Sequence, residues 1–239
     1  MSAPLNFQNL FEIDTTPEGP TRTWVRLGAG LVSASPATNE KLDQKAYLDG
    51  NGGQTTEVTG FQLVHTFSGD RIPGDPAQDF IFSKALDLGA ARHTNFRATG
   101  ADGTVITGEC TIANIQLPGG DANSSSAIGF EIHLNGKPTK TDPVAAPALT
   151  STVAIGSVIG TTSFTAAPTG AGNLLAYRLT ASPKTVKARQ YALQAVIYQS
   201  SQDIPATAGQ YLGMYELDVY RHVVKFSSVQ LQAADIKSA

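Results

Sequence analysis

Gly74–Gly89, GDPAQDFIFSKALDLG, is the stretch on which the fold class turns. It reads as one helix in a chain that otherwise alternates like β structure. Asp75 suits the N-cap and Pro76 the first helical position, where a missing N–H costs nothing. Gln78 follows Asp75 by three residues, close to a capping box. Ala77, Phe80, Ile81, Ala85 and Leu88 recur at helical spacing and form one apolar face, and Gly89 supplies a stop. A helix over 75–88 is expected, with Phe80, Ile81, Ala85 and Leu88 as its packing residues. So short an amphipathic helix cannot bury that face alone and must lie on a sheet.

The flanking sequence supplies the strands. Thr21–Leu31 centres on Trp24 and Val25. Gly60–Ser68 puts Phe61, Leu63, His65 and Phe67 on one face. Thr94–Ala98 and Thr104–Ile115 flank Asp102-Gly103, a strong hairpin signal. Ala127–Asn135 alternates cleanly, with Ile128, Phe130, Ile132 and Leu134 inward and Glu131 and His133 outward. His65 and Cys110 read as core residues. Glu131 and His133 share a face but have no nucleophile in sequence context, and so read as a solvated pair.

Residues 1–20 end in TTPEGP and read as an extended N-terminal arm. Residues 33–60 read as a long polar loop with a turn at Asp49-Gly50-Asn51-Gly52-Gly53. A calcium loop is not expected there, since Gly60 stands where the twelfth-position glutamate belongs. TKTDPVAAPA, residues 139–148, reads as a linker and places a boundary between 1–142 and 143–239. Beyond it, six short β-like runs predict a small sandwich: 150–155, 161–166, 174–179, 191–198, 211–219 and 222–231. Met214, Leu217, Val219, Val223, Val224, Phe226 and Val229 are its candidate core. Without disulfides this segment would be marginal alone.

Composition narrows the function. Charged residues are 15 % of the 239, against about 25 % in ordinary soluble domains, which suits equally a protein occupied by self-contacts and a β-rich protein whose surface is Thr, Ser, Asn and Gln. Residues 1–138 carry nine Lys/Arg and fifteen Asp/Glu, while 139–239 carry eight and five. Neither half is a basic nucleic-acid grip. One cysteine excludes an internal disulfide. No run is long and apolar enough to span a bilayer, and no secretory signal is expected. No catalytic constellation, metal spacing or cofactor motif stands out, so neither an enzyme nor a cofactor is expected.

Residues 20–138 resemble the major tail tube proteins of long-tailed, non-contractile bacteriophages (siphoviruses). The likeness lies in the order of several segments. It begins with Thr23-Trp24 and Tyr47-Leu48-Asp49-Gly50, and runs through Gly74-Asp75-Pro76-Ala77-Gln78-Asp79 and Thr111-Ile112-Ala113-Asn114-Ile115. It continues with Pro118-Gly119-Gly120-Asp121-Ala122 and Phe130-Glu131-Ile132, and ends at Asn135-Gly136-Lys137-Pro138. Thr207-Ala208-Gly209-Gln210 and Tyr215-Glu216-Leu217-Asp218-Val219 are similar to the end of the small Ig-like domain that decorates many such tubes. The resemblance implies a mainly β fold, an antiparallel sandwich or half-barrel with one flanking helix, followed by a small β-sandwich.

It also implies hexameric rings stacked into a hollow tube that conducts DNA during ejection. The partners would be identical copies, the tape-measure protein and other tail proteins, with double-stranded DNA passing through unheld. The location would be the virion, and the host cytoplasm during assembly. On this reading the loop carrying Asn39, Glu40, Lys41, Asp43, Lys45, Tyr47 and Asp49 reaches the next ring, and Glu109 and Glu131 face the lumen. A basic bore would hold phosphates through counterion release; an acidic one would not. The other class of function considered is a carbohydrate- or cell-surface-binding β module, which would need an aromatic platform. Trp24 is the single tryptophan.

Overall fold

The computed structural model describes residues 3–199 and 202–238. It is mainly β, with one α-helix, and divides into two compact units. The first comprises the residues through Ala98 together with Ile106–Lys140; the second comprises Thr99–Val105 and Thr141 onward.

The first unit holds β1 (Leu10–Asp14), β2 (Trp24–Leu27), β3 (Leu31–Ala37), β4 (Lys41–Ala46), β5 (Gln54–Gly60), β6 (Val64–Asp70), α1 (Pro76–Ser83), β7 (His93–Thr99), β8 (Val105–Gly119), β9 (Ala127–Leu134) and β10 (Thr139–Thr141). Its main sheet runs β2-β1-β7-β8-β9-β6-β3, with β10 pairing β8. The two outer strands, β2 and β3, are consecutive in sequence and joined by a turn in which Leu31 N donates to Gly28 O (3.2 Å). The sheet must therefore curl back on itself, which makes the unit a half-barrel. Its concave side buries Ile13, Phe67, Phe96, Ile112, Phe130 and Ile132, each at most 1 % exposed. Alternation in β9 explains this directly: Ile128, Phe130, Ile132 and Leu134 face the core while Glu131 and His133 face away.

Several expectations are corrected. The N-terminal arm is a strand of the main sheet: Leu10–Asp14 lies between β2 and β7, with Ile13 fully buried. TTPEGP is the connection from β1 to β2, where Asp14 Oδ1 accepts the N–H groups of Thr16 and Thr23 (3.0 and 3.1 Å). The polar segment 33–60 is not a loop. It contains the end of β3 and then an antiparallel hairpin, β4 with β5, registered from Lys41↔Gly60 to Ala46↔Gln54. Apart from the pair Leu42 and Val58, polar residues occupy both faces and hide the strand period there.

The helix is also shorter than its periodicity suggests. It starts as the sequence indicates, with Asp75 Oδ1 accepting Gln78 N (2.9 Å) and Pro76 in the first turn. It stops at Ser83, because Arg92, from the next segment, donates to the carbonyls of Ala85 and Asp87 (2.6 and 2.7 Å) and holds that chain in a non-helical path. Ile81 is buried and Phe80 half-buried in the core. Ala85 lies beyond the helix and Leu88 stands 85 % exposed. Gln78 does not complete a capping box. Its buried amide instead accepts from Ile72 N (2.8 Å) and donates to Ala29 O (2.6 Å), pinning the β2–β3 turn to the end of β6.

The second unit holds β11 (Ser151–Ile155), β12 (Thr161–Ala166), β13 (Leu174–Thr180), β14 (Val196–Ile197), β15 (Ile204–Pro205), β16 (Tyr211–Leu217) and β17 (Val223–Gln230). Two sheets, β11-β12-β15 and β14-β13-β16-β17, share one core. Phe164, Ile204, Leu212 and Met214 fill it, with Val153, Tyr177 and Val229 at its margin. Residues 191–198 do not form the strand expected of them. Val196–Ile197 forms a two-residue strand, Tyr191 makes an isolated bridge to His222, and Tyr198 is tied down by its hydroxyl, which donates to Phe164 O (2.8 Å) and accepts from Phe164 N (3.0 Å). Val219 lies past the end of β16, 56 % exposed, outside the core. The Asp102-Gly103 turn belongs to this unit, where Ala101 O accepts Tyr191 N (2.9 Å).

Candidate assembly surface

The β4–β5 hairpin is exposed along nearly its whole length. A two-stranded ribbon is marginally stable by itself in water. This one also exposes apolar side chains: Leu42 at 52 %, Tyr47 at 57 %, Leu48 at 105 % and Val58 at 57 %. At its base Asn39 takes a left-handed conformation (φ 44°) and turns the chain out of β3, while Glu40 accepts from Thr38 Oγ1 (3.3 Å). Along β4, Lys45 pairs with Asp43 at 2.7 Å. At the tip, Tyr47 leads into a single 3₁₀ turn, Leu48–Gly50, that carries Asp49, and Asn51 closes it at φ 48°. Asn39, Glu40, Lys41, Asp43, Lys45, Tyr47 and Asp49 thus lie along one projecting arm, without burial to explain its sequence.

The convex side of the main sheet is polar, and its charges are largely compensated. Arg97 makes two hydrogen bonds to Glu12 (2.7 and 2.8 Å) and stacks on Trp24, 4.5 Å from the ring centroid. Trp24 therefore packs against protein and is no open sugar platform. Asn95 donates to the buried Asp14 (3.1 Å). Glu109 and Glu131 fall on this same face, since Thr111↔His133 and Ala113↔Glu131 are registered pairs. Glu109 lies 3.6 Å from His93. Glu131 lies 2.7 Å from His133 Nε2 and accepts from Asn114 Nδ2 (2.6 Å). Those two bonds, His133 first, hold its carboxyl below the usual range. Asn114 is positioned by a bulge in β8, where it adopts φ 47°.

His65 and Cys110 lie on the concave side. Cys110 is fully buried and burial pushes its thiol up to about 12, so it is not a nucleophile. His65 is enclosed by Phe11, Phe67 and Phe96, and burial lowers its pKa from 6.5 to about 4. The unfolded chain then binds the proton first as pH falls. Stability is full above about pH 6.5 and drains away toward about pH 4, by about 3 kcal/mol in total. Urea melts at both pH values check this: His65→Leu removes that increment of the acid loss. Among the described residues no group of three His, Cys, Asp or Glu is placed to hold a metal ion.

The second unit centres on a residue that the sequence did not single out. Glu216 of β16 is fully buried, and its Oε1 accepts from Thr169 N (2.7 Å), Thr169 Oγ1 (2.9 Å), Gly170 N (3.3 Å) and Asn173 Nδ2 (2.7 Å). Burial alone would raise this carboxyl; the bonds from Asn173, Thr169 and Gly170 outweigh it and hold the group below its usual range. The loop before β13 is thereby wound around one carboxylate.

The family described as the S-layer protein SbsC C-terminal domain matches residues 154–234. No curated protein matches the chain. Among solved structures, the chain is similar to one from the tail of an empty gene transfer agent particle, refined helically with C6 symmetry. The TM-score there is 0.48 with 16 % identity, over 58 % of this chain and 99 % of that one. It is also similar to the sheath/tube terminator of an extracellular contractile injection system in its extended state (TM-score 0.41, 11 % identity, 59 % of this chain and 98 % of that one). A third similarity is to domains 7, 8 and 9 of the S-layer protein SbsC (0.38, 21 %, 58 % and 39 %). At these scores and identities the assignment of function rests on the residues themselves.

Proposed function

We propose that this chain is a structural subunit of a long-tailed phage virion, polymerising as stacked hexameric rings into the tail tube through which DNA is ejected. The observation that carries the reading is the β4–β5 hairpin. It projects apolar side chains from a unit that has no third strand for it, and a second copy would supply the cover. β2 and β3 end the main sheet, which supports it further, since outer strands of a sheet are closed in nature by a neighbour or blunted. The six-fold ring itself comes from the resemblance of residues 20–138 to tail tube proteins.

On this reading the chain has no catalytic role. Its partners are its own copies, the tape-measure protein and other tail proteins, and DNA crosses the bore without tight binding. The tube is built in the host cytoplasm and ends in the virion. The convex sheet face carrying Glu109 and Glu131 lines the lumen, and its compensated charges suit passage better than a basic lining. Replacing both with lysine (E109K/E131K) slows DNA delivery from assembled virions; unchanged ejection kinetics would remove these two residues from the bore.

The match of residues 154–234 to an S-layer domain favours a second role for the second unit, as a surface-exposed module on the outside of the tube. Sedimentation of the purified protein over a range of concentrations tests the main reading. It predicts a step from one chain of 25.0 kDa to six and then to larger stacks. A single monomeric species throughout would refute it.

A further inference from the structure

The turn Asp49-Gly50-Asn51-Gly52-Gly53 at the hairpin tip has a chemistry of its own. Asparagine followed by glycine is the pair most open to attack on the asparagine side chain, because glycine has no Cβ to shield its nitrogen. The chain holds two such pairs, Asn51-Gly52 and Asn135-Gly136, and the structure treats them differently. Asn135 is half-buried, and its side-chain amide exchanges hydrogen bonds with Thr111 Oγ1 (3.1 and 3.2 Å). Asn51 is exposed, and among the described residues neither its side chain nor Gly52 N makes a hydrogen bond. A Cβ placed on Gly50 or Gly52 would meet nothing within 4 Å, so the backbone there has room to turn. Related sequences elsewhere are closed. In Asp49-Gly50 and Asp102-Gly103 the glycine N–H is engaged, by Tyr47 O (3.0 Å) and Gly100 O (2.9 Å), and in Asn123-Ser124 the Ser124 N–H donates to Asp121 O (3.0 Å).

We propose that Asn51 is a site of spontaneous modification, at which the backbone nitrogen of Gly52 turns the side-chain amide into a carboxylate. Gly52 N attacks Asn51 Cγ. The N–Cγ bond forms, the Cγ–Nδ2 bond breaks, and the side-chain nitrogen leaves as ammonia, taking the proton from Gly52 N. Water then adds to the cyclic imide and opens it at either carbonyl, which leaves aspartate or isoaspartate at position 51. Asn51 rests at φ 48°, ψ 36°, and its carbonyl must swing round before the ring can close. The glycines beside it and the open space around them permit that swing. Each conversion adds one negative charge to the formal −3 of the chain, two residues from Asp49. Isoaspartate also inserts a methylene into the main chain of the turn. The site stands on the geometry of the tip and goes beyond the assembly reading. Where that reading holds, a tip covered by another copy cannot swing, so free subunits change with time and joined ones do not.

Peptide mass spectrometry of the full chain, kept folded in mildly alkaline buffer at physiological temperature, tests it. The expected result is a gain of one mass unit at Asn51, split between aspartate and isoaspartate. It should run about tenfold or more faster than at Asn135, which must first give up its bonds to Thr111. The same chain unfolded in urea should modify both pairs at similar rates, since the difference lies in the fold. Asn51→Gly, at a position whose positive φ glycine adopts freely, removes the more acidic species on isoelectric focusing and leaves the far-ultraviolet circular dichroism unchanged. Equal rates at Asn51 and Asn135 in the folded chain, or an Asn51 that stays intact while the urea sample reacts, would overturn the proposal. Assembled material incubated alike should keep its Asn51. Modification there as fast as in free subunits would leave the site standing and count against the arm as the joining element.

Discussion

Excising Lys41–Gly60 and rejoining the chain leaves a folded, soluble first unit that makes no tubes. The cut is feasible because Gln62 N already donates to Thr38 O (2.9 Å), so the two ends of the hairpin base lie side by side. A short Gly-containing turn closes the gap. Little stability is lost, since among the described residues the hairpin contributes none to the buried core of the unit. The melting temperature should shift by no more than a few degrees, which corresponds to about 1 kcal/mol or less. The effect on assembly is all-or-none, because the deletion removes the exposed apolar residues Leu42, Tyr47, Leu48 and Val58 together. Electron microscopy and circular dichroism on the same preparation separate the two effects. Normal tubes from the deleted chain would show that the hairpin joins nothing.

Glu216→Ala is the most damaging single substitution expected in the second unit, at about 3–5 kcal/mol. Alanine leaves the N–H groups of Thr169 and Gly170, the Thr169 hydroxyl and the Asn173 amide without their acceptor. Each bond to a charged acceptor is worth about 1.5–3 kcal/mol, and they are not additive. Glu216→Gln keeps the shape and one accepting oxygen, so its loss should be smaller, about 1–3 kcal/mol. The sign of the pH dependence follows from the lowered pKa. A carboxyl held below its unfolded value stabilises above that value, and the contribution is lost as pH falls through the folded one. Denaturation of the full chain, followed through the tyrosine-rich second unit, should therefore show an acid-labile increment that Glu216→Ala lacks. Equal stability of wild type and variant at pH 7 would contradict this account of the loop.

The legible and illegible parts of the fold differ for physical reasons. Asp75 and Pro76 announced the start of α1 because capping is a local matter. Its end was not legible, because it is set by Arg92, which reaches back to Ala85 O and Asp87 O. β9 alternates apolar and polar because one face is buried and the other is not. β1 hides its place in the sheet because both of its faces are covered: Ile13 is buried in the core, and Glu12 and Asp14 are buried by Arg97, Asn95 and the Thr16–Thr23 turn. Charged residues in so short a strand read as an exposed arm until their partners, more than eighty residues away, are known. β4 and β5 carry one apolar pair, Leu42 and Val58, among polar residues on both faces, too little to show a period. Glu216 could have been suspected only as a lone carboxylate inside the apolar run Tyr211–Leu217.

On the proposed reading, two sheet edges and one apolar arm of this chain are left for other copies to cover. Negative-stain electron microscopy of the purified full chain at high concentration tests that most directly. The account predicts six-membered rings, or tubes built of them. A field of compact single particles, with no annular or stacked forms at any concentration, would contradict it.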